Sequence, residues 1–201
     1  MNHTKTFAIS FVVLGLCAHL PIVRAQNAPA AAKDAPHDLP ALRDGKHDFD
    51  FEVGKWKAHV KKLVHPLTGS QEWDELSGTV VTRSLPMLEG WNESEMTVDS
   101  PSTHAHIELL ALRLYNPTSR QWSIYGSSAK TGVFDPPQVG QFKDGRGEFY
   151  AQDTIQGRAV FIRYMWENVS ASATHIEQAF STDGGRTWEP NWIYDGTRLK
   201  E

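Results

Sequence analysis

His104, His106 and Glu108 recur at alternate positions in "HAHIE". On a strand, alternate residues share a face, so two imidazoles and a carboxylate would project together. That donor set suits a divalent metal such as zinc. No third histidine is spaced to complete it, and the set stands immediately before the apolar run Leu109–Leu114. A strand entry with its polar residues at a barrel mouth explains the pattern more simply, and no metal is expected. Glu108 and His106 could also act with Tyr164 as the acid–base set of a hydrolase-like site. Glycoside hydrolysis requires two carboxylates about 5–9 Å apart. Asp135, Asp144, Asp153, Asp183 and Asp195 fall in turns or on outward parity, leaving Glu72, Glu75, Glu93 and Glu95. Their facing is open from sequence, and a solvated strand face is the favoured reading. The chain has no glycine-rich phosphate loop and no nucleophile elbow. No catalytic residue is assigned.

The elements that would position these groups begin after a leader. "MNHTKTFAISFVVLGLCAHLPIVRAQN" has Lys5 before an apolar run to Val23 and a Val23-Arg24-Ala25 cleavage pattern. This reads as a secretory signal over residues 1–25, too interrupted by His19 and Pro21 for a membrane span. The only cysteine, Cys17, leaves with it, so the exported chain has neither disulfide nor thiol chemistry. The whole chain carries a net charge of −4. Cleavage removes two basic residues and no acidic one, which makes the remainder more negative. A basic stripe for phosphate backbones is lacking, and nucleic acid is not an expected partner. Residues 26–45 are rich in Ala and Pro and read as a flexible tether. Residues 46–201 form one domain without internal repeats.

Within that domain, short segments rich in Val, Ile, Thr and aromatics alternate with turn clusters, the mark of an antiparallel all-β fold. Strands are expected over Trp56–Val64, Glu72–Arg83, Gly90–Val98, His106–Tyr115, Gln121–Ser127, Gly147–Asp153, Arg158–Trp166, Thr174–Ser181 and Trp188–Asp195, with a short tenth over Val139–Lys143. An up-and-down meander of nine or ten strands without covering helices favours closure into a barrel.

Folding the chain about its turns assigns faces. About "NPTSR", Leu110, Leu112 and Leu114 face Gly126, Ile124 and Trp122 on the inside, with Arg113, Tyr115, Ser123 and Tyr125 outside. About "NVSASA", Trp166, Tyr164, Ile162 and Val160 face Thr174, Ile176, Gln178 and Phe180, and Arg163 lies opposite Glu177 outside. About "TIQG", Phe149 and Ala151 join the inward set. The expected cavity lining is therefore Glu108, Leu110, Leu112, Trp122, Ile124, Gly126, Phe149, Ile162, Tyr164, Trp166, Ile176 and Gln178. Gly126 leaves a gap where a large side chain could stand. Trp56 and Trp188 are expected to plug the barrel.

Two resemblances follow from motifs. "STDGGRTW" fits the Asp-box of sialidases and other β-propellers, S-x-D-x-G-x-T-W. With one copy and no blade repeat, it reads as a hairpin turn: Asp183 accepts backbone N–H groups, and Gly184 and Gly185 allow positive φ. "DFDFEVGKWK", "LRLYNPTSRQWSIY", "DPPQVGQFKDGRGEFYAQDTIQGR", "IRYMWENV" and "IEQAFSTDGGRTWEPNWI" together resemble an exported bacterial family of unknown function with a calycin-like, lipocalin-like barrel. Relatives tend to have Trp at the positions of Gly126 and Ile176, which implies a differently shaped interior here. The resemblance also raises haem, which nitrobindin-type calycins bind through a late histidine. His175 is the late histidine, but it shares outer parity with Glu177, and no cofactor is expected. The reading is an exported, periplasmic or secreted barrel that binds a small apolar or amphipathic molecule. An enzyme at the barrel mouth and an interaction module with a filled core are the alternatives.

Overall fold

Alternation of branched and aromatic residues with polar ones produces ten strands in the computed structural model, which describes residues 43–200. The leader, Cys17 and the tether up to residue 42 lie outside the described residues. A 3-10 turn at Asp50–Glu52 precedes β1 (Gly54–Leu63), β2 (Trp73–Ser84), β3 (Asn92–Asp99), β4 (His106–Asn116) and β5 (Gln121–Ser128). Then follow β6 (Gln138–Lys143), β7 (Arg146–Ile155), β8 (Arg158–Glu167), β9 (Ala173–Ser181) and β10 (Glu189–Arg198). Each strand pairs antiparallel with the next, and β10 returns to pair with β1, from Trp56 opposite Arg198 to Lys62 opposite Trp192. The barrel is closed, so the sheet has no free edge.

Turn chemistry sets the registers. Asp144-Gly145 and Gln156-Gly157 all take positive φ, the two-residue hairpin turns that match strand twist. At "NPTSR" the loop has four residues, because Asn116 pairs with Gln121. The Asn116 side chain accepts the Thr118 and Ser119 amides at 2.9 and 3.2 Å, and Arg120 turns the chain at φ 56°. An even loop length inverts β4 relative to the expected folding. Arg113 now faces Ile124, Tyr115 faces Trp122 and Ala111 faces Gly126, while Leu110, Leu112 and Leu114 take the outward parity. The β8–β9 register is displaced by two residues, which keeps every face: Trp166 opposes Ile176 and Tyr164 opposes Gln178. Arg163 and Glu177 still pair, now diagonally, at 3.6 Å.

The Asp-box closes β9 onto β10. Asp183 accepts the Arg186 and Thr187 amides at 3.0 and 2.9 Å and the hydroxyls of Ser181 and Thr187 at 2.8 and 2.7 Å. These bonds, the Thr187 amide foremost, hold the Asp183 carboxyl well below the usual range. A depressed folded pKa stabilises above the unfolded value, about 4, and that contribution is lost as pH falls through the folded value. Asp183→Asn should therefore melt below the native chain near neutral pH. The gap should narrow below about pH 4, as read from Tm by circular dichroism. Trp188, expected as a plug, instead lies half-buried on the outer surface, with the Arg163 guanidinium 4.5 Å above its ring.

The core packs around Phe49, which has 0% exposure and belongs to no strand. Its ring centroid lies 4.9 Å from Trp122, 5.0 Å from Phe142 and 5.3 Å from Trp166. The Trp122 indole donates to Gly45 O, and the Trp56 indole to Glu52 O. Residues 45–52 thus stop one end of the barrel, and residues 43–45, read from sequence as tether, lead into this packing. Beside it, Gly140 opposes Phe149 so closely that a Cβ would fall on the Glu148 and Phe149 backbone. Gly140→Ala should cost about 1–3 kcal/mol as β6 is pushed from β7, checked by equilibrium urea unfolding.

Candidate functional site

The aromatic plug leaves the interior incompletely filled. A cavity of about 300 Å3 extends from it toward the opposite end of the barrel. Val80, Met96, Leu109, Ile124, Ile176 and Trp192 make its apolar walls. Gly126 opens one wall: a Cβ built there meets nothing within 4 Å. Asp135, Gln138, Ser127 and Ser128 line the far end. The Asp135 amide donates to Gly126 O at 2.9 Å, which ties the β5–β6 connection across that end.

The floor is polar. Glu52 comes from the 3-10 turn and is 1% exposed; its Oε1 accepts the Trp166 indole N–H at 3.1 Å. Arg113 enters from β4 because of the four-residue turn described above, and it is 5% exposed. Its Nη1 donates to Asn92 Oδ1 at 2.9 Å and to Ser94 Oγ at 2.6 Å, while its Nε has no partner. The guanidinium stacks 5.0 Å from the Phe49 centroid. Burial pushes the Arg113 pKa down and the Glu52 carboxylate opposes that shift, but a guanidinium remains charged. Tyr194 is 2% exposed, and its hydroxyl also lacks a partner. Burial first, then the Glu52 charge, pushes its pKa upward. Tyr164, in the wall, is raised to about 12, chiefly by burial and then by Asp135. Unpaired buried donors are costly; Arg113 and Tyr194 both line the cavity, but these two atoms are themselves closed off from it.

Seven of the expected lining residues border this cavity: Leu110, Ile124, Gly126, Tyr164, Trp166, Ile176 and Gln178. Leu110 does so from a strand face that leaves it 37% exposed. Five do not. Trp122 and Phe149 are spent in the aromatic plug, and Ile162 packs in a second cluster with Ala151, Val160 and Phe180. Leu112 and Glu108 point outward because β4 is inverted. The Glu108 side chain is 55% exposed and lies 3.6 Å from His106 Nε2. His106 itself binds Asp99 at 2.6 Å, which raises its pKa. His106 and Glu108 are therefore on the outer surface and Tyr164 inside, which separates the proposed acid–base set. His104 sits in the preceding turn at φ 57°. Among the described residues no three His, Cys, Asp or Glu side chains are grouped to hold a metal ion. His175 binds Asp195 at 2.7 Å on the outer face. Glu72, Glu75, Glu93 and Glu95 pair with surface histidine, lysine or arginine.

Among the lining residues that sequence reading missed are Glu52, Arg113, Tyr194 and Trp192, and Asp135, which it placed in a turn or on outward parity. Arg113 carried a signal: it interrupts an otherwise apolar run with a parity set by "NPTSR".

No family model and no curated protein sequence matches the chain. Among solved structures, the fold is similar to that of the S-type phycobiliprotein lyase CPES from Guillardia theta. The TM-score is 0.53 at 12% identity, over 78% of this chain and 93% of that chain. No helix of the described residues is long and apolar enough to cross a membrane. The described residues are thus all-β, folded as a closed, ten-stranded, up-and-down antiparallel barrel, a fold shared with that lyase.

Proposed function

We propose that this chain is an exported, periplasmic or secreted binding protein that takes a small apolar or amphipathic molecule into its barrel. The observation that carries this reading is the cavity of about 300 Å3 with apolar walls that ends on buried Arg113 and Tyr194. Concave, mainly apolar sites with a few convergent polar groups are the usual form of a small-molecule site. The similarity in fold to a phycobiliprotein lyase supports a barrel that accommodates a small molecule. The leader and the resemblance to an exported family support the location. An interaction module with a filled core is the weaker alternative, since the space beside Gly126 is open.

Native mass spectrometry of protein purified from its own host tests the proposal. The expected result is a stoichiometric adduct that disappears on organic-solvent denaturation. A bare polypeptide mass, together with no uptake of an environment-sensitive apolar fluorophore, overturns it.

A further inference from the structure

The cavity floor holds an anion and a cation that do not meet. Glu52 uses one oxygen on the Trp166 indole, and Arg113 uses Nη1 on Asn92 and Ser94. Among the described residues no ion pair joins them, although both line the same cavity and each lies within the field of the other. Burying two separated charges is expensive unless hydrogen bonds complete their shells. Neighbouring strands supply only part of those bonds: Arg113 Nε and the Tyr194 hydroxyl stay unpaired.

The charge balance restricts what a ligand can bring. A carboxylate would suit Arg113 but would add a negative charge beside Glu52, in a cavity whose far end already carries Asp135. An ammonium would suit Glu52 and face Arg113. A head group that accepts from one side and donates to the other satisfies both residues and adds no charge. On this basis, and resting on the binding function above, we propose that the barrel selects a neutral head group that carries an acceptor and a donor on the same carbon. A primary carboxamide is the type: its carbonyl oxygen accepts from Arg113 and its N–H donates to Glu52.

The test is a matched series on one alkyl chain: octanamide, 1-octanol, octanoate and octylammonium, titrated by calorimetry near neutral pH. Octanamide should bind about tenfold or more tighter than octanoate and octylammonium, because a charged head leaves one floor residue confronting a like charge. Glu52→Gln retains an oxygen for the Trp166 indole and removes the anion. In that variant octanoate should gain about tenfold and overtake octanamide. Equal affinities for all four ligands, or octanoate tightest in the native chain, overturn the head-group inference and leave ligand binding standing. Failure of all four to bind counts against the binding function itself, and the inference falls with it. Should Glu52→Gln fail to fold, judged by circular dichroism, the ranking in the native chain decides.

Discussion

Phe49→Ala is expected to lower the unfolding free energy by about 3–5 kcal/mol, the range for removing a fully buried aromatic ring. Phe49 has 0% exposure, and its ring meets Trp122, Phe142 and Trp166 edge-to-face. Such aromatic contacts add to the area buried. Alanine would leave a void among rigid aromatic neighbours on three different strands, β5, β6 and β8, which cannot collapse together to fill it. The damage should extend to function, because Arg113 stacks on the Phe49 ring and Glu52 follows three residues later. Urea unfolding measures the first effect, and ligand titration at a concentration where the variant is still folded measures the second. Met87→Ala is the control. That side chain is 95% exposed, and its loss should stay within about 0.5 kcal/mol. A Phe49→Ala loss of similar size would mean that the segment before β1 only lies against the barrel and does not build its core.

Gly126→Phe should abolish ligand binding while leaving the barrel folded. Gly126 has no positive φ, and a Cβ there meets nothing within 4 Å, so a side chain enters open space without backbone strain. On β5 it shares the inward face with Ile124 and opposes Ala111, so the ring must occupy the cavity. Gly126→Ala separates the two consequences. It should stabilise the chain by about 0.4–1 kcal/mol through the unfolded state, with a smaller effect on binding. The contrast with Gly140→Ala is direct: the same change in the neighbouring strand strikes backbone instead of space. Undiminished binding by a folded Gly126→Phe protein would place the ligand elsewhere.

These two residues also show how far the sequence reaches. Gly126 was legible, because a glycine inside an apolar strand pattern marks missing volume, and the volume is there. Phe49 was visible only as part of an opening motif, since nothing local says that a residue before the first strand will lie at the centre of the core. The ten strands were legible for a local reason: β-branched and aromatic alternation broken by "KDG", "IQG" and "TDGG" specifies each hairpin within a few residues. The faces of β7, β8 and β9 followed, and they survived a two-residue register shift because side-chain direction repeats every two residues. The face of β4 did not survive. One residue more or less in a loop inverts a strand, and the Asn116 and Arg120 geometry that makes the "NPTSR" loop four residues long is a property of the folded turn.

That inversion explains why the site was only half read. Hydrophobicity places leucines inside and arginine outside, and a β4 assigned by that rule puts Leu112 where Arg113 stands. The sequence by itself determined an all-β, antiparallel, closed barrel, since local propensity, turn chemistry and the need to remove sheet edges all agree. Tertiary structure alone decided which polar groups go inside. Glu52, Arg113 and Tyr194 lie far apart in the chain, and the burial of the two charged ones is offset by Asn92 and Ser94 from β3, Trp166 from β8 and the Phe49 ring from the segment before β1. Such compensation is non-local, so it leaves no periodicity to read.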